Sequence, residues 1–69
     1  MSYVDPPKIS TRVLRCKEVK IRTGLSTSTI YRLMAETKFP QSIKLGARSV
    51  GWIQEEIEDW IESRIENRK

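Results

Sequence analysis

The stretch Thr23-Gly24-Leu25-Ser26-Thr27-Ser28-Thr29-Ile30-Tyr31-Arg32-Leu33-Met34 reads as the turn and second helix of a helix-turn-helix. Gly24 takes, without steric cost, the positive φ that a tight helix-to-helix turn needs. Ser26 is placed to cap the following helix by accepting a bond from a free backbone N–H. Leu25, one residue before the cap, is placed to pack on Ile30 as a hydrophobic staple. Ile30, Leu33 and Met34 recur at helical spacing and form one buried stripe. The opposite face carries Thr27, Ser28, Tyr31 and Arg32, side chains that bond phosphates or base edges.

Upstream, the spacing predicts a helix over residues 16–23, with Cys16, Val19, Lys20 and Thr23 on one face. Lys20 fits there if its alkyl stem covers the core and its amine reaches water. Ile21 falls off that stripe, and the pattern does not account for it. Val13-Leu14 reads as a short extended piece packing back on the core. Residues 1–11, with Pro6-Pro7, read as a flexible tail, because proline blocks helix and favours extended backbone.

Downstream, the second helix is expected over residues 27–37, stopped by Phe39-Pro40. The period then changes. Ile43 and Leu45 alternate with Ser42 and Lys44, and Val50 and Trp52 with Ser49 and Gly51. Two period-2 runs around Gly46-Ala47-Arg48 predict a β-hairpin. Ile43, Leu45, Val50 and Trp52 are expected to face the core, with Lys44, Arg48 and Ser49 outward or at the tip. A last helix over residues 54–66 presents Ile53, Ile57, Trp60, Ile61 and Ile65 as an apolar stripe. Glu55 and Glu56 in its first turn, and Arg64 and Arg68 near its end, suit the helix dipole. Gln54 is a poor cap for it. The expected architecture is mainly α with a small β-hairpin. It is one winged helix-turn-helix over residues 12–66, with a short tail at 67–69.

At 69 residues the chain makes one domain, and its apolar residues are needed for a single small core. A deep substrate pocket would compete for them, so no enzyme is expected. With no histidine and one cysteine, a structural zinc site lacks ligands and a Cys–His nucleophile pair cannot form. No cofactor is expected. Cys16 reads as a small apolar residue rather than a reactive thiol. The absence of a disulfide framework fits a cytoplasmic protein. No apolar run approaches the roughly 20 residues that span a bilayer. The first residues lack the apolar core of a signal peptide. Charge is uneven: residues 1–53 hold ten Lys/Arg against three Asp/Glu, and residues 54–69 hold three against six. A basic body with an acidic last helix suits a polyanion approached from one side.

These features together point to duplex DNA. The N-terminal half of a recognition helix lies nearest the base edges, which makes Thr27 and Ser28 the base-reading candidates. Ser26 caps the helix or lends its exposed end to a phosphate, and Thr29 does the same or is itself capped by Ser26. Tyr31 either gives its hydroxyl to a phosphate or is a half-buried ring. Arg32 suits bidentate contact with guanine or phosphate, the alternative being a solvated arginine. Lys44, Arg48 and the neighbouring Ser49 place the wing against phosphates or the adjacent minor groove. Trp52 and Trp60 lie on core-facing positions and read as packing rather than base-stacking platforms. Glu55, Glu56 and Asp59 read as a solvated face, with a protein-contact surface as the alternative.

The runs Leu14-Arg15-Cys16-Lys17-Glu18-Val19, Thr23-Gly24-Leu25-Ser26-x-Ser28-Thr29-Ile30-Tyr31-Arg32-Leu33, Phe39-Pro40-x-x-Ile43-Lys44-Leu45-Gly46, Val50-x-Trp52 and Ile57-x-x-Trp60-Ile61 resemble the AlpA family across residues 12–65. These are small phage- and island-borne regulators, similar in fold to excisionases and to the winged-helix domain of MerR proteins. The resemblance implies a winged helix-turn-helix whose second helix enters the major groove and whose hairpin meets the minor groove. It implies a prophage or genomic-island transcriptional regulator, or a recombination directionality factor (excisionase) that helps an integrase excise its element. Thr27 stands where the family often has a basic residue, and Cys16, Lys20 and Arg22 stand where aliphatic residues are usual. Expected partners are double-stranded DNA, integrase or RNA polymerase, and further copies binding cooperatively on DNA, in the cytoplasm at the nucleoid and away from membranes. The rival from another class is a small interaction module or inhibitor docking through its C-terminal helix.

Overall fold

The computed structural model describes residues 12–68; the N-terminal tail expected over residues 1–11 lies outside the described residues. The elements run β1 (Val13–Leu14), α1 (Cys16–Thr23), α2 (Thr27–Ala35), β2 (Ile43–Lys44), β3 (Val50–Ile53) and α3 (Gln54–Glu66). The strands form an antiparallel sheet in the order β1-β3-β2. The architecture is a winged helix-turn-helix, mainly helical. Val13-Leu14 does more than pack back on the core: it adds a third strand, with Val13 opposite Ile53 and Leu14 opposite Trp52.

Six side chains make the core: Leu14, Val19, Ile30, Phe39, Trp52 and Ile57. Each comes from a different place along the chain, and only β2 contributes none. Because no element gives more than one anchor, polar links help to hold the elements in place. The Glu18 carboxylate accepts from the Arg15 backbone N–H at 3.1 Å and closes the start of α1. The Arg15 Nε donates to the Val50 carbonyl at 3.1 Å and ties that start to β3. Arg22 of α1 meets Glu58 of α3 at 3.2 Å. Ile53 is the N-cap of α3 and offers no side-chain bond. The Gln54 N–H instead donates to the Arg12 carbonyl at 2.7 Å, so the residue just before β1 does what a capping side chain normally does.

The two tryptophans hold the link between α2 and the hairpin. The Trp60 Nε1 donates to the Lys38 carbonyl at 2.8 Å and the Trp52 Nε1 to the Pro40 carbonyl at 3.1 Å. Phe39, between those carbonyls, stands edge-on to Trp60 at 4.8 Å, and Tyr31 of α2 stands edge-on to Trp52 at 6.1 Å.

Four expectations from sequence need correction. Helix α2 ends at Ala35, not Thr37. Thr37 turns left-handed at φ 57°, its N–H donating to the Met34 carbonyl at 3.0 Å and the Lys38 N–H to the Leu33 carbonyl at 2.8 Å. That is a Schellman end with threonine where glycine is usual. The hairpin faces are also different. Ile43 pairs with Gly51 and Lys44 with Val50, and paired residues share a face. The Leu45 N–H donates to the Ser49 carbonyl, leaving residues 46–48 as an odd-numbered tip. Ile43 and Leu45 therefore lie on the outer face, 39% and 46% exposed, opposite Val50 and the buried Trp52. Lys44 lies on the Trp52 side. In α1, Lys20 is exposed rather than laid over the core; Ile21, off the apolar stripe as its spacing indicates, is 74% exposed. In α3, Ile65 at the end of the expected stripe is exposed.

Gly51 is required on that outer face, because a Cβ there would lie 2.3 Å from Val13 Cγ1. The left-handed Thr37 sets a stability test. A β-branched residue there costs roughly 1–2 kcal/mol, part of which glycine's extra freedom in the unfolded chain offsets. Thr37→Gly is expected to raise stability by roughly 1 kcal/mol, a Tm increase of about 4–8 °C in a domain this size. An unchanged or lower Tm in a thermal melt would contradict strain at this position.

Candidate nucleic-acid interface

The turn that aims α2 is built from Thr23 and Gly24. Gly24 adopts φ 75° and donates its N–H to the Lys20 carbonyl at 2.7 Å. The Thr23 hydroxyl donates to the Val19 carbonyl at 2.8 Å and accepts from the Leu25 N–H at 3.2 Å. One side chain thus closes α1 and starts the next segment. Leu25 packs beside the core cluster that contains Ile30.

Ser26 is the N-cap of α2. Its Oγ accepts from the Thr29 N–H at 3.2 Å, and its hydroxyl lies 2.9 Å from the Thr29 Oγ1 as donor. The Ser28 Oγ is 3.4 Å from it. Ser26 and Thr29 therefore satisfy each other and hold the helix end, while Ser28 retains most of its bonding capacity. Thr27 is exposed, its Oγ1 3.9 Å from the Cys16 sulfur. Cys16 is half-buried against the core rather than fully inside it.

Tyr31 fits the reading as a half-buried ring. Its ring packs on Trp52, yet the residue is 43% exposed. Arg32 is exposed and its guanidinium lies 3.6 Å from the Glu36 carboxylate, which also sits 3.7 Å from the Lys38 amine. The sequence pattern missed this small chain of charges at the end of α2. Exposed pairs of this kind are worth about 0.2–1 kcal/mol. A phosphate or guanine edge that gains a desolvated bidentate contact outweighs that, so Arg32 remains available.

Lys44 and Arg48 are exposed and Ser49 is half-buried, its backbone closing the tip. The register puts Lys44 on the Trp52 side of the sheet. Since Tyr31 packs against Trp52, Lys44 and α2 lie toward the same side. Arg15, absent from the sequence-derived site, is exposed close to β3. Of the cations on α1, Arg22 is engaged by Glu58, while Lys17 and Lys20 are exposed. No helix among the described residues is long and apolar enough to cross a membrane.

The family model described as "Prophage CP4-57 regulatory protein (AlpA)" matches residues 12–65. The chain is 41% identical over 64 residues to "Uncharacterized protein ORF88" of Enterobacteria phage P4, covering 93% of this chain and 73% of that protein. It is 36% identical over 61 residues to "DNA-binding transcriptional activator AlpA" of Escherichia coli, covering 80% of this chain and 87% of that protein.

The division of labour among the hydroxyls is testable without a ligand. Ser26→Ala is expected to cost about 1 kcal/mol in urea denaturation, and Ser28→Ala to stay within about 0.5 kcal/mol of the parent. Equal losses from both would contradict the assignment of Ser26 as cap and Ser28 as free surface.

Proposed function

The chain belongs to the AlpA family of prophage regulatory proteins, and from that premise we propose that it is a DNA-binding transcriptional regulator whose reading head is α2 and whose wing is the β2–β3 hairpin. The observation that carries this reading is the exposed, acid-free face of α2: Thr27 and Ser28 in its first turn, and Tyr31 and Arg32 toward its end, are all exposed. A helix presented this way enters the major groove with its first turns nearest the bases.

Each side chain then has a role set by its chemistry. Thr27 and Ser28 meet base edges, a methyl against thymine or a hydroxyl against a donor or acceptor. Arg32 leaves Glu36 for guanine or phosphate. The Tyr31 hydroxyl reaches a phosphate while its ring stays on Trp52. Ser26 and Thr29 keep the helix end formed, and its free N–H groups face the backbone. Lys44 and Arg48 grip the flanking duplex, while Ser49, opposite Leu45 on the outer face, closes the tip through its backbone.

Three cations on one small domain release few counterions. If each neutralises one phosphate, the log–log salt slope is about −2.7. One copy therefore binds modestly, and adjacent copies or a partner such as RNA polymerase add avidity. The same grip would serve a recombination directionality factor beside an integrase. Promoter activation without a change in attachment-site excision supports the transcriptional reading, and the reverse favours the excision factor.

Arg32→Ala is expected to abolish or sharply weaken specific binding in a mobility-shift assay; retention at the parent level would remove it from the groove. Arg48→Ala is expected to weaken all duplex sequences alike and to reduce the salt slope by about one unit. An unchanged slope would remove the wing tip from the backbone contact.

A further inference from the structure

Arg15 stands where three parts of the molecule meet. It follows β1 directly and is the N-cap of α1. Strand β1 ends at Leu14, opposite Trp52. Beyond that pair this edge of β3 has no strand to bond. The Arg15 Nε supplies the missing donor, to the Val50 carbonyl at 3.1 Å. Val50 is also the residue opposite Lys44, so Arg15 and Lys44 approach one residue of β3 from its two edges. The next residue, Cys16, has its sulfur 3.9 Å from the Thr27 Oγ1 in the first turn of α2. Arg15 thus occupies the corner between the start of the reading helix and the wing.

The guanidinium in that corner is only partly used. Its Nε and both Nη atoms donate, and it has no acceptor. Nε holds Val50, while Nη1 and Nη2 make no hydrogen bond and no ion pair among the described residues. The acid in its own turn is Glu18. That carboxylate accepts from the Arg15 backbone N–H at 3.1 Å and forms no ion pair with the guanidinium. The exposed Lys17 stands beside it. The first turn of α2 carries no acid, and residues 43–53 contain neither Asp nor Glu. The acids of α3 follow Ile53, at the far end of β3 from Val50. Arg15, Lys17 and Lys44 therefore leave the corner positive against Glu18.

The shape of a duplex decides what the corner meets. With α2 in the major groove and the wing on the flanking duplex, a strand of phosphates runs between them, because the sugar–phosphate backbone separates one groove from the next. Arg15 lies in that interval, and its Nη atoms form the fork that matches phosphate oxygens. We propose that Arg15 is a further DNA-contacting residue, holding the phosphate strand between α2 and the wing while its Nε stays on Val50. The inference rests on the DNA reading above and adds a contact from outside both the reading helix and the hairpin. One side chain then ties the wing to α1 and grips the backbone. A fourth phosphate contact steepens the log–log salt slope to about −3.6.

Substitution separates the two jobs. Glutamine places its Nε2 where arginine has Nε, so Arg15→Gln keeps a donor for Val50 and removes the charge and the fork. Lysine keeps the charge but has a methylene at that position, so Arg15→Lys loses the Val50 bond. Binding of the full chain to a duplex that it selects from a random pool, and to an unrelated duplex, is measured over a salt series well below each melting temperature. Arg15→Gln is expected to weaken both duplexes by the same factor and to flatten the slope by about 0.9, with an unchanged melt. Arg15→Lys is expected to hold the parent slope and to melt a few degrees lower. The slopes decide whatever the melts show. A parent slope retained in Arg15→Gln overturns the proposal. Equal flattening in both variants also overturns it, because the loss then follows the Val50 bond and not the charge. A parent chain whose binding does not fall with salt overturns the DNA reading itself, and this inference with it.

Discussion

The structure depends on two indole N–H groups. The segment between α2 and the hairpin contains Phe39-Pro40, cannot continue the helix and cannot join the sheet. Its carbonyls at Lys38 and Pro40 receive the donors of Trp60 and Trp52. An indole donates one bond and accepts none, so each ring fixes one carbonyl without needing a further partner. A single bond of this kind contributes about 1 kcal/mol net, but leaving its groups unpaired costs about 1–3 kcal/mol. The rings also bury apolar area, with Phe39 on one and Tyr31 on the other. In a domain with a core of six buried side chains, this pair sets how α2 sits against the sheet.

That constraint links the fold to the surface it presents. Tyr31 carries the connection: it belongs to the exposed face of α2 and its ring touches Trp52, the buried centre of β3. Through it the exposed face of α2 is tied to β3. Lys44 follows the same geometry, because its pairing with Val50 turns it toward the Trp52 side. The outer side of the sheet goes the other way. There Gly51 admits Val13 within a distance that no Cβ would allow, and Ile43 and Leu45 stay exposed. A reading side and an apolar side thus arise from one register.

Much of this was legible in the sequence. The bounds of α1 and α3 follow from apolar spacing, and Gly24 and Ser26 announce the turn and the cap because few residues do those jobs. The hairpin was legible as a hairpin, but not its faces. Alternation within each strand gives no parity between strands; the three-residue tip gives it, and that tip inverts Ile43 and Leu45 relative to Trp52. The end of α2 was misplaced because a threonine stands at Thr37 where glycine would mark the stop. Pattern also says nothing of pairings between distant groups, so Arg15 on Val50, Arg22 on Glu58 and the Arg12 carbonyl capping α3 emerge only in three dimensions. For the candidate site, exposure of Thr27, Ser28 and Arg32 was readable from helical periodicity and that of Arg48 from its place in the tip, whereas the face that Lys44 takes was not. The engagement of Arg32 by Glu36 was overlooked, although the two stand four residues apart on one helix.

The central claim is that α2 and the wing act as one DNA-reading surface held by Trp52. The most direct measurement is the ¹⁵N spectrum of the full chain titrated with a duplex selected by it from a random pool. The account predicts that amides of Thr27, Ser28, Arg32, Lys44 and Arg48 shift together over one concentration range. Shifts confined to α3, or movement of α2 without the wing, would contradict it.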